Sequence, residues 1–230
     1  MSIIVGIDGT GADFFPYGGR NQRYDDAFAN SFVRKLCDKP PTPNKKYLRG
    51  PVVGGGGLLE ASSEGLNFVL AKRRAGVNEP ILLTGYSRGA AGVIFIATRL
   101  QSQNIDVKAM LLFDCVDRQG DIDATVIPNN VGYVLHLLRA PESGSRNWFG
   151  NAGRQSSPPT RYFEAIFYCT HGGMGGVPWS VPDGKSPNDY VMEDSHRTNI
   201  TYAQDARGSE RAWYYAKPFM DEHGFPIPPA

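Results

Sequence analysis

Cysteine is scarce in this chain. Cys37, Cys115 and Cys169 are the whole complement, an odd and widely spaced set that argues against a disulfide framework. Neither sign of charge prevails: 24 Lys and Arg stand against 23 Asp and Glu, and a net charge of +1 leaves no electrostatic footprint for nucleic acid. No apolar run reaches the length of a bilayer span, so no transmembrane segment is expected. The opening MSIIVGID lacks the basic, apolar and small-residue succession of a cleaved signal, so the expected setting is the cytoplasm, with export by a route without a cleaved signal left open. No internal repeat is visible. No G-x-x-x-x-G-K-[ST] occurs either, which weakens a phosphotransferase reading of Asp8-Gly9-Thr10 and a phosphate-cradle reading of Gly54 to Gly57.

What the chain does have is glycine at the ends of apolar runs. Its 230 residues, 41% hydrophobic and 20% charged, suit one α/β domain spanning residues 1 to 230. Ile3 to Ile7 reads as a buried strand stopping at Asp8-Gly9-Thr10-Gly11. Tyr24 to Leu36 reads as an amphipathic helix, with Asp25 and Asp26 in its first turn and Pro40, Pro41 and Pro43 breaking the chain beyond it. Tyr47-Leu48 is a candidate short strand, and Leu58 to Ala75 a helix. Further strands are expected at Ile81 to Thr84, Val107 to Phe113, Val131 to Leu138 and Tyr162 to Cys169. Residues 140 to 160 read as a rim or lid loop, and residues 177 to 230 as a loop followed by a closing helix within Tyr202 to His223, ending in an exposed tail from Pro226. Strands alternating with helices imply a mostly parallel central sheet with helices on both faces.

The most informative stretch is ILLTGYSRGAAGVIFIATRL, Ile81 to Leu100. A strand runs into Gly85-Tyr86-Ser87-Arg88-Gly89, a G-x-S-x-G, and Ala90, Ala91, Val93, Ile94, Ala97 and Leu100 then recur at helical spacing. A serine raised on a strand-to-helix turn needs unusual backbone angles and small neighbours, which Gly85 and Gly89 provide. A hydroxyl is too weakly acidic to attack unaided, so it needs a base, and the base needs a partner that fixes its tautomer. Of the four histidines, His136 lies inside an apolar strand and suits packing, while His196 and His223 lie in late polar segments. His171 follows a buried strand in a glycine-rich turn, and strand-end loops often carry function. Asp114 ends a strand directly and is the first candidate acid. Asp117, beside Arg118, suits a loop-bracing ion pair and ranks behind it, and Asp8 suits capping of the Gly9 to Gly11 turn. Oxyanion donors are expected from the N–H of Arg88, at the start of a helix, and of Gly9 or Thr10. Cys115 and Cys169 read as small buried apolar residues.

The segments GIDGTG (Gly6 to Gly11), LTGYSRGAAG (Leu83 to Gly92), LLFDCVDR (Leu111 to Arg118) and CTHGGMGG (Cys169 to Gly176) resemble the α/β-hydrolase domain family that includes the phospholipase effectors of type VI secretion. The D-x-V-D stretch is also similar to the acid loop of chlorophyllase-like hydrolases, whose first Asp matches Asp114. The resemblance implies an α/β-hydrolase-like fold and a Ser-His-Asp hydrolase of carboxylic esters, with lipid or phospholipid esters as substrate class. It implies no cofactor. Peripheral membrane contact and a secretion or immunity partner are further expectations on the same footing. The chain departs from the family's histidine motif, H-S-D-[VI]-G-G, by carrying Gly172 and Gly173 in place of Ser and Asp. Loop ordering by that Asp is then expected to be lost, and metal dependence is not carried over. A family segment ending A-L-D-E reads here Arg139-Ala140-Pro141-Glu142, which makes Glu142 a second-choice acid. The altered histidine loop also leaves open a catalytically idle hydrolase fold serving as a binding module.

Overall fold

The computed structural model describes residues 2–11, 22–38, 43–53, 56–117 and 122–227. Gly54, Gly55, Arg118, the Pro40-Pro41 break and the last three residues of the tail lie outside them. The chain begins with strand β1 (Ile3–Ile7), helices α1 (Gln22–Ala27) and α2 (Phe32–Cys37), strand β2 (Lys45–Leu48) and helix α3 (Leu58–Arg74). Strand β3 (Ile81–Tyr86), helix α4 (Arg88–Gln101), strand β4 (Val107–Phe113) and the two-residue β5 (Val126–Ile127) follow. Next come β6 (Val131–Arg139), the short β7 (Gln155–Ser156), β8 (Arg161–Phe167) and the one-turn helix α5 (His171–Met174). A hairpin of β9 (Tyr190–Glu193) and β10 (His196–Thr201) then leads into the long helix α6 (Tyr202–His223).

Six strands form one parallel sheet in the order β2-β1-β3-β4-β6-β8, flanked by helices on both faces. This is an α/β-hydrolase-like arrangement. Alternation along the strands divides the core: Ile3, Val5 and Ile7 join Ile81 and Leu83 under α3 and α4, whereas Ile4 and Leu82 face Val33, Leu36, Ala212 and Met220 of α2 and α6. Central strands covered on both sides are apolar, as β1 is throughout, β3 apart from Thr84 and β4 apart from Lys108.

Four expectations need correcting. The strand ahead of His171, expected to be buried, is the edge strand β8, none of whose residues is fully buried. The helix expected over Tyr24 to Leu36 is two helices, because Ser31 caps α2 by accepting from the Arg34 N–H while its hydroxyl donates to the buried Asp8. The tail is not loop up to Tyr202: β9 and β10 pair antiparallel about a turn where Asp194 and Ser195 both take positive φ, 50° and 68°. Residues 140 to 160 contain 3-10 turns at Pro141–Ser143 and Asn147–Phe149 as well as β7, so this segment is folded rather than plain loop. Among the described residues, no helix is long and apolar enough to cross a membrane.

Candidate active site

Strand order reverses beside β1, since the chain leaves β1 for β2 on one side and returns to β3 on the other. A crevice opens at the carboxyl ends of strands at such a point, and Ser87 stands there. Ser87 caps α4 at φ 55° and ψ −127°, a conformation that costs a side-chain-bearing residue on the order of 1–3 kcal/mol and is held only by its surroundings. Those surroundings are tight. A Cβ on Gly89 would run into the carbonyl oxygens of Ile7 and Asp8, and one on Gly85 into the backbone of Ala90.

The structure brings three of the predicted side chains together. His171 Nε2 lies 2.8 Å from Ser87 Oγ, and His171 Nδ1 lies 2.6 Å from Asp114 Oδ2. With Nδ1–H donating to the carboxylate, Nε2 is left as an acceptor facing the hydroxyl. All three groups are buried, Ser87 at 5% exposure and His171 at 2%. Burial favours the neutral imidazole and, against the pull of Asp114, holds the His171 pKa below its ordinary value, with Arg139 and Arg146 adding to the effect. Burial would raise Asp114, but the hydrogen bond and charge of His171, then Arg139, hold its carboxyl well below the usual carboxylate range.

Each group is braced by residues that sequence reading did not single out. Asp114 also accepts from Asn151 Nδ2 at 2.8 Å and from the buried guanidinium of Arg139. The His171 backbone N–H donates to Ser145 Oγ at 2.8 Å, and that hydroxyl donates to the buried Glu193 carboxylate at 2.6 Å. Tyr86, between the two glycines, donates its hydroxyl to the His171 carbonyl at 2.9 Å. The loop-ordering carboxylate expected to be lost comes instead from α6: Asp205 accepts from the Thr170 N–H (2.7 Å), the Thr170 hydroxyl (2.9 Å) and the Trp179 N–H (2.9 Å). Position 173 is glycine because a Cβ there would strike the Asp205 carboxylate. Arg139 left one signal, a charge closing an apolar strand; Asp205, 34 positions beyond His171, left none.

The other candidates fall elsewhere. Glu142 is exposed on a 3-10 turn, where its carbonyl accepts from Asn199 Nδ2, and both His171 ring nitrogens are taken by Ser87 and Asp114. Asp117 accepts from the Ala124 N–H and so braces its own loop. Asp8 accepts from the Gly9 N–H at 3.1 Å and from the hydroxyls of Ser31 and Tyr47, while burial pushes its pKa up to about 7. The Gly9 N–H is committed to Asp8, which makes Gly9 a poor oxyanion donor, while Thr10 and Arg88 line the cavity over Ser87. His136 is packed as expected, accepting from the Cys115 N–H at Nε2 with Tyr162 at Nδ1, and burial lowers its pKa to about 4. Among the described residues, no group of three His, Cys, Asp or Glu could hold a metal ion.

Above Ser87 lies a cavity of about 540 Å³, lined by Thr10, Val53, Arg88, Val116, Trp148 and Phe149 among others. Phe149 stands edge-on to the His171 ring at 5.2 Å. Arg146 lies over Phe149 and pairs with Asp194 of the hairpin turn, so residues 146 to 149 form part of the rim.

No protein-family model matches the chain, and no curated protein matches it. Solved structures similar to it include the NocB thioesterase domain in covalent complex with a fluorophosphonate nocardicin G analog (14% identity, 93% of this chain and 95% of that one, TM-score 0.40). RedJ, a thioesterase from the prodiginine biosynthetic pathway in Streptomyces coelicolor, is 10% identical over 77% of this chain and 82% of that one, TM-score 0.38. Human thioesterase 2 is 9% identical over 74% and 87%, TM-score 0.38. Likeness this distant carries no inference about substrate.

Proposed function

We propose that the chain is a serine hydrolase cleaving carboxylic esters through an acyl-enzyme. The observation that carries the reading is the buried relay from Ser87 Oγ through His171 to Asp114, at 2.8 and 2.6 Å, beneath the cavity. His171 Nε2 takes the hydroxyl proton as Ser87 attacks the ester carbonyl, and Asp114 stabilises the imidazolium that forms. In this reading the oxyanion donors are the Arg88 N–H, at the start of α4, and the Thr10 N–H, each worth about 3 kcal/mol of barrier when aligned. His171 then protonates the leaving alcohol. Water, deprotonated by the same imidazole, releases the acid and regenerates Ser87.

The finer reading is a lipid or phospholipid ester, in keeping with the resemblance to type VI secretion phospholipase effectors. The aromatic rim of Trp148 and Phe149 suits an acyl chain, and the guanidinium groups of Arg88 and Arg146 suit a polar or anionic head group. Peripheral membrane contact and a secretion or immunity partner belong to the same reading. The idle-module alternative drew its force from the altered histidine loop, and Asp205 supplies the bracing that loop was thought to lack. A panel of p-nitrophenyl esters of graded chain length and phospholipid vesicles, with Ser87→Ala as control, tests the reading. Turnover is expected in the parent and not in the variant; turnover equal in both would refute it.

A further inference from the structure

Arg139 closes β6, is 4% exposed, and directs every group of its fork at something that matters to the site. Nη1 pairs with Asp114 Oδ2 and stands 3.5 Å from His171 Nδ1. Nε donates to the Ser145 carbonyl at 2.8 Å and Nη2 to the Arg146 carbonyl at 2.9 Å. Its own backbone N–H donates to Asp114 Oδ1 at 3.3 Å. A Ser-His-Asp relay needs no such cation, and burying one beside the acid removes part of the carboxylate charge that would stabilise an imidazolium.

We propose that Arg139 is a positioning residue with two tasks: it weakens His171 as a base by sharing Asp114, and it ties the rim segment at Ser145 and Arg146 to the acid. The inference rests on the reading of His171 as general base. Both tasks follow from one guanidinium, because only a planar fork reaches a carboxylate and two carbonyls at once. The charged and titratable groups around His171 are few. Asp114 faces it from the end of β4, Arg139 from β6 and Arg146 from the rim; Ser87 and Tyr86 face it from the β3–α4 turn; Glu193 of β9 reaches it through Ser145. Arg139 and Arg146 are the cations among them. Arg146 has Asp194 as partner, whereas Arg139 spends its charge on the acid itself.

The test is the His171 imidazole titration, followed by ¹⁵N NMR in the full chain and assigned by loss of its signal in His171→Gln. Arg139→Gln removes the charge and is expected to raise the His171 midpoint by about one pH unit. Arg139→Lys keeps the charge but cannot span both carbonyls. It is expected to leave the midpoint at the parent value while labelling by a fluorophosphonate slows roughly ten-fold or more as the rim loosens. A folded Arg139→Gln with an unmoved midpoint would overturn the proposal. Should Arg139→Gln fail to fold, Arg139→Lys decides alone: parent-rate labelling overturns the proposal, and slow labelling at the parent midpoint upholds it. If the parent chain is not labelled at all, the hydrolase reading fails. The proposal then stands or falls on whether the His171 midpoint follows the charge at position 139.

Discussion

Asp205→Ala removes the carboxylate that ties α6 to the loop carrying His171. The Asp205 side chain is fully buried, and truncating it strands the N–H groups of Thr170 and Trp179, while the Thr170 hydroxyl keeps only the bond it accepts from the Gly173 N–H. A buried donor without a partner costs about 1–3 kcal/mol, so two of them, partly rehydrated through the gap left by the side chain, amount to roughly 3 kcal/mol. In a chain of this size 1 kcal/mol shifts Tm by about 2–4 °C, giving a drop of roughly 6–12 °C in a thermal melt. Thr170 precedes His171 directly, so the loosened loop also misplaces the imidazole, and an error of ~1 Å in a reacting group costs about a hundred-fold in rate. Fluorophosphonate labelling kinetics read that second effect independently of the melt. Asp205→Asn should fall between, because the amide oxygen still serves the Thr170 N–H but the amide nitrogen faces the Trp179 N–H, donor against donor. An Asp205→Ala protein with the parent's Tm and the parent's labelling rate would refute the reasoning.

Gly89→Ala has no room against the Ile7 and Asp8 carbonyls, so urea denaturation should show a loss of at least the ~1–3 kcal/mol typical of overpacking, against a small effect for Gly56→Ala, where a Cβ meets only Val52 Cγ2 at 3.6 Å. His136, lowered from 6.5 to about 4 by burial, is neutral in the fold while the unfolded chain takes up its proton. Its ionisation therefore has no effect on stability above about pH 6.5, and a penalty grows as pH falls from 6.5 to about 4, reaching roughly 3 kcal/mol. The stability difference between the parent and His136→Gln should drift across that window and be flat above it; a flat difference throughout contradicts the assignment. Trp148→Ala opens the exposed aromatic rim without touching the relay, so KM for long-chain esters should rise several-fold with kcat little changed. A fall in kcat alone would place Trp148 in a different role.

The central strands β1, β3 and β4 were legible because they are short apolar runs ending at glycine or aspartate, and buried parallel strands must be apolar on both faces. Ser87, Asp114 and His171 were legible for a related reason: a strand end followed by a small-residue turn is where such a sheet exposes chemistry. The division of Tyr24 to Leu36 was hidden because its cause, a hydrogen bond from Ser31 to Asp8, joins positions 23 apart. The hairpin after Val177 was hidden by its polar composition, since only Val191, Glu193, Thr198 and Ile200 of its strands are buried. Ser145, Glu193 and Asp205 act through contacts 26 to 48 positions long, with no local pattern to mark them, and Arg139, 25 positions from Asp114, left only a charge at the end of an apolar strand. The departure of Gly172 and Gly173 from the H-S-D-[VI]-G-G pattern reads as a loss in sequence, but α6 places the Asp205 carboxylate beside Gly173.

The account turns on Ser87 being an activated nucleophile. Mass spectrometry of the chain after reaction with an alkyl fluorophosphonate tests this most directly. The account predicts one adduct, carried by the peptide containing Ser87 and absent after His171→Gln. An unmodified chain, or an adduct on another residue, would contradict it.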